Sequence, residues 1–107
     1  MNFSIDGNDY EVKFGFRVCR ELKKIIGNID TDGGALVDVV YEKGAKLVQA
    51  TIKGNKLSPI PSIDKIEDYF DEEPGFGTDF LMEALEGIAV HVTPKRQEAI
   101  NEAAKGN

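Results

Sequence analysis

Apolar and polar residues alternate at the start of the chain. Phe3 and Ile5 share one face, and after "DGND" Tyr10, Val12 and Phe14 again take every second position, with Ser4, Glu11 and Lys13 between them. A period of two marks half-buried strands, and Asp6, Gly7 and Asn8 tolerate the positive φ of a tight turn, so residues 2–14 predict a β-hairpin. Two strands alone are marginal in water, and their apolar face needs cover.

The period changes after Gly15. Val18, Cys19, Leu22, Ile25 and Ile26 follow the stripe of a helix with one buried face, which predicts a helix over 16–26. Gly27 and Asn28 stop it, and Lys23 and Lys24 suit the negative end of its dipole. A second stripe, from Leu36, Val37, Val40 and Tyr41 to Leu47, Val48 and Ile52, predicts a helix over 35–53. Gly44 lies inside it, where glycine costs roughly 1 kcal/mol against alanine, and marks a kink or a close helix contact. "GNKLSPIPS" interrupts regular structure. Ser62 then caps a helix over 63–72, with Ile63, Ile66 and Phe70 on one face and Asp64, Glu67, Asp68 and Asp71 on the other. "DEEPGFG" ends that helix, and Thr78 and Asp79 open the next, over 79–91. "TP" at 93 and 94 offers an N-cap and a first-turn proline for a polar helix over 94–104. The expected fold class is α+β, an N-terminal β-hairpin packed against a bundle of four to five α-helices in a single domain covering 1–107.

Composition supports that expectation and narrows the partners. A chain of 107 residues, 41% hydrophobic, buries on the order of 65% of its unfolded surface, enough for one core. Its 13 basic and 19 acidic residues give a net charge of -6, which repels phosphate backbones, so nucleic acid is not an expected partner. No apolar run reaches the roughly 18 residues needed to span a bilayer, and no membrane association is expected. "MNFSIDGNDYEV" lacks the charged-then-apolar plan of a signal peptide. The single cysteine, Cys19, lies on the apolar stripe of its helix and is expected to pack as a small apolar residue in a reducing compartment.

Candidate chemistry is sparse. "NIDTDGGALVDVV", residues 28–40, starts like a calcium loop, with Asn28, Asp30, Asp32 and Gly33 at positions 1, 3, 5 and 6, but Val39 stands where the bidentate glutamate belongs. Asp30, Thr31 and Asp32 are better explained as turn and cap residues. His91 has no second histidine or cysteine ligand nearby, and no P-loop, GxGxxG or nucleophile elbow occurs. No catalytic, cofactor-binding or metal-binding residue is therefore expected. The stretch from Asp64 to Asp79 carries seven carboxylates against one lysine. It is either the solvated face of a helix or a docking surface for a basic partner, with Asp68, Asp71 and Glu72 as candidate contacts. Phe76, between two glycines, is either a partner anchor or an aromatic packed over the core.

Residues 3–24, "FSIDGNDYEVKFGFRVCRELKK", resemble the opening of the tail assembly chaperones of long-tailed phages, where a short hairpin with a Gly turn leads through "KFGF" into an "RELxK" helix. The order downstream, a middle helix followed by a "PSxDxIEDYFDE" helix and another apolar helix, is similar. The resemblance implies a non-enzymatic phage or prophage protein of the host cytoplasm, absent from the mature virion. It would keep the helical tape measure protein soluble, help recruit the tail tube protein around it, and form a homo-oligomer along it. Such chaperones are often made in two forms by a programmed frameshift. "KGN" at 105–107 can be encoded as AAG GGA AAC, which holds the heptamer GGGAAAC in the phase that permits slippage. The rival reading of the same residues is a small cytosolic regulatory or adaptor module that binds a protein unrelated to tails.

Overall fold

The computed structural model of the chain describes residues 1–27 and 33–93. Strands β1 (Asn2–Ile5) and β2 (Asn8–Glu11) pair antiparallel, with Phe3 opposite Tyr10 and Ile5 opposite Asn8. Asn8 thus opens β2, and the turn is the two-residue Asp6-Gly7, with φ of 53° and 79°. Positive φ at both central residues is what a type I′ turn requires.

The alternation outlasts the ladder. Val12 N–H donates to the Met1 carbonyl at 2.9 Å, and the Met1 amino group donates to the Val12 carbonyl at 3.0 Å. Beyond them the Asn55 carboxamide stands in for a neighbouring strand: Lys13 N–H donates to Asn55 Oδ1 at 2.9 Å, and Asn55 Nδ2 donates to the Lys13 carbonyl at 3.1 Å. Phe3, Ile5, Tyr10 and Val12 are buried, and Phe14 is half-buried.

Four helices follow: α1 (Phe16–Ile26), α2 (Gly33–Gly54), α3 (Ile63–Glu72) and α4 (Phe76–Val92). The bounds of α1 and α3 are those the pattern predicts, because their ends are chemically marked. Gly27, at φ 73°, closes α1 with its N–H on the Lys23 carbonyl, and the Ser62 hydroxyl accepts from Lys65 N–H at the start of α3. α2 runs slightly past its predicted span at both ends.

α4 starts at Phe76 and not at Asp79, so "GFG" is partly helix and not wholly a breaker. Gly75, at φ 90°, turns the chain, and its carbonyl accepts from Asp79 N–H. Phe76 is thereby carried onto a cluster of rings. The predicted helix over 94–104 lies outside the described residues.

α2 is the central element, flanked by α1 and α3, while α4 packs against α1 and α2, and β1 touches α3. The core joins Ile5 and Val12 of the hairpin segment to Leu22 of α1, Leu47 and Ile52 of α2, Ile66 of α3 and Phe80 of α4, all at most 1% exposed. Thr51 is the buried polar residue among those described, and its hydroxyl donates to the Leu47 carbonyl at 2.8 Å, which satisfies it inside the helix. The chain is an α+β domain, a hairpin on a four-helix bundle among the described residues.

A candidate docking groove between α2 and α3

Unequal helix lengths create the site. α2 has 22 residues, while α1 has 11 and α3 has 10. At about 1.5 Å per residue the central helix is roughly twice as long as either flank. Its C-terminal half is covered, and Leu47, Val48 and Ile52 have no exposed surface. Its N-terminal half outruns that cover. Val37 is 53% and Tyr41 86% exposed, although both lie on the apolar stripe. The stripe that predicts the helix is therefore not buried along its whole length.

Two glycines shape the floor. A Cβ placed on Gly44 would lie 2.9 Å from Phe70 Cε2, and one on Gly77 would lie 3.0 Å from Val40 Cγ1 and 3.2 Å from Phe70 Cε2. The Phe70 ring therefore packs directly on the backbones of α2 and α4, the close helix contact that Gly44 signals in the sequence. With α3 drawn in at that point, Val37, Val40, Tyr41 and Ala45 of α2 and Ile63 and Phe70 of α3 line an open groove of about 550 Å³, to which Gly75, Gly77 and Thr78 also contribute.

The rim is charged. Glu42 stands on the α2 side, Glu67 and Asp71 on the α3 side, and among the described residues Lys46 is the one cation lining the groove. Among the described residues the ion pairs are Lys24 with Glu21 and Lys65 with Asp6, so these three carboxylates are not engaged in one. An apolar floor between acidic edges is suited to binding by burial and to steering by charge.

Of the four candidate contact residues, Asp71 lines this groove. Asp68 and Glu72 are exposed on α3 outside it. Phe76 is half-buried, with ring centroids 4.8 Å from Tyr69, 5.2 Å from Phe3, 5.7 Å from Phe70 and 5.9 Å from Phe80. Of its two readings, this geometry is that of an aromatic packed over the core. Val37, Tyr41, Glu42 and Glu67 were not among the candidate contacts read from the sequence. The signal available for Val37 and Tyr41 was an apolar stripe on α2 longer than α1 or α3, the two helices that flank it.

The remaining candidates are structural. Cys19 is buried, its Sγ 3.5 Å from the Phe14 carbonyl, and burial pushes its thiol up. His91 is exposed, its Nε2 donates to the Phe14 carbonyl at 2.9 Å, and its ring meets Phe16 edge to face. Asn28, Asp30 and Asp32 lie outside the described residues, while Val39, at the glutamate position of that loop pattern, is a core residue. Among the described residues no acid, histidine and cysteine cluster suits a metal ion, and no helix is long and apolar enough to cross a membrane. No family model, curated protein or solved structure matches the chain.

Proposed function

We propose that the protein is a tail assembly chaperone of a long-tailed phage or prophage, acting in the host cytoplasm without catalysis. It holds the tape measure protein soluble by binding its helical segments, assists assembly of the tail tube protein around it, and self-associates along it. The observation that carries this reading is the groove between α2 and α3, where Val37, Val40, Tyr41, Ala45, Ile63 and Phe70 line an open surface between two helices. The resemblance over residues 3–24 supports it independently, since those residues form one unit, a type I′ hairpin running into α1. Amphipathic helices bind by laying an apolar face in such a groove, and many weak contacts along one tape measure gain by avidity.

Co-expression with the tape measure protein of the same phage tests the proposal. The chaperone should move that protein from the insoluble to the soluble fraction and co-purify with it. Unchanged solubility with no complex would count against it and favour an adaptor for a protein unrelated to tails.

A further inference from the structure

The groove's dimensions and charge narrow what it takes. Its α2 wall runs from Val37 to Lys46, about 13 Å at roughly 1.5 Å per residue. Three side chains at i, i+3 or i+4, and i+7 of a partner helix span about 10 Å, so the floor seats one such set. Both long walls are helices whose backbone groups bond within themselves, so the groove presents no free edge for an added strand. Among the described residues the rim carries Glu42 on one side and Glu67 and Asp71 on the other, against Lys46.

We infer that this groove is the binding site for a basic amphipathic helix, with three aliphatic side chains on the floor and Lys or Arg on both flanks. The inference rests on the helix-binding reading above and adds the site and the chemical class of its occupant. Tyr41, 86% exposed at the groove edge, closes over the bound helix as an aromatic anchor. Asp71 takes part in recognition, and Asp68 and Glu72 do not, although all three belong to one acidic run.

The probe is a labelled helical peptide of about 18 residues with leucines at i, i+4 and i+7 and lysines on its flanks, compared with a twin carrying glutamates there. Binding to the full chain is followed by fluorescence anisotropy. The lysine peptide should bind, weaken as salt rises, and exceed its twin by about tenfold or more. Reversing Glu67 and Asp71 together to lysine should weaken it by about tenfold, and Tyr41→Ala by about fivefold or more. Reversing Asp68 and Glu72 together should change it by less than about threefold, with the far-UV circular dichroism of every variant unchanged. Equal affinity for the two peptides, no binding of either, or equal losses from the two charge reversals would overturn the assignment.

Tape measure solubility is a separate readout. If the peptides are discriminated as expected but no tape measure protein is solubilised, the chaperone reading fails and the groove assignment stands. Full rescue of the tape measure protein by the combined Tyr41→Ala, Glu67→Lys and Asp71→Lys variant would overturn the groove and leave the chaperone reading intact.

Discussion

Replacing Phe76 with alanine distinguishes an aromatic that holds the fold from one that waits for a partner. Removing a fully buried phenylalanine costs about 3–5 kcal/mol. Phe76 is only half-buried, which lowers the transfer part, yet its ring meets those of Phe3, Tyr69, Phe70 and Phe80, and aromatic pairs add about 0.5–1.5 kcal/mol each without summing fully. The expected loss is about 2–3 kcal/mol, a large share of the roughly 5–15 kcal/mol typical of a domain. In urea unfolding followed by far-UV circular dichroism this lowers the midpoint by on the order of 1–2 M with little change in slope. Two variants bracket it. Phe80→Ala, at a residue 1% exposed, should cost more, about 4 kcal/mol. Phe16→Ala, at a residue 55% exposed, should cost less than about 1 kcal/mol. A Phe76→Ala loss no larger than that of Phe16→Ala would refute the packing role and restore Phe76 as a partner anchor.

Gly44→Ala gains about 1 kcal/mol of helix propensity, but its Cβ would lie 2.9 Å from Phe70 Cε2, and overpacking of that kind costs about 1–3 kcal/mol. Phe70 is also held against Gly77, so the net should be a loss of about 1 kcal/mol in the same urea assay, whereas a gain would mean that the ring yields freely. A third expectation concerns alkali. Burial first, and Asp6 second, raise the Tyr10 phenol, whose hydroxyl donates to the Pro59 carbonyl at 2.6 Å. The folded chain therefore keeps that proton to higher pH than the unfolded chain, and the associated stability is lost as pH rises from the ordinary tyrosine value of about 10 through the higher folded value. Tyr10→Phe should lose less stability than the parent between neutral and strongly alkaline pH, and parallel losses would exclude Tyr10 as a source of the effect.

Particular residues show what was legible in the sequence. The hairpin and the bounds of α1 and α3 could be read because their signals are local: a period of two, a Gly stop and a Ser cap. Gly44 could be read as a contact point because a glycine inside a helix needs a reason. The exposure of Val37 and Tyr41 could not, since a helix's apolar stripe does not say how far its neighbours extend. Nor could the separation of Asp71 from Asp68 and Glu72, which depends on the rotation of α3 set by Phe70 over Gly44 and Gly77. The helical start at Phe76 was hidden because glycine's poor propensity dominates locally, while the ring cluster that holds Phe76 joins Tyr69, Phe70 and Phe80 to Phe3 at the other end of the chain, a meeting that only the fold brings about.

The most direct test of the central claim is photo-crosslinking from the groove during co-expression with the tape measure protein. A photoreactive phenylalanine analogue at position 41 should crosslink to the tape measure protein, and the same analogue at position 20, on the exposed face of α1, should not. Crosslinking from position 20 alone, or from neither position while the two proteins co-purify, would contradict the groove as the surface that holds the helix.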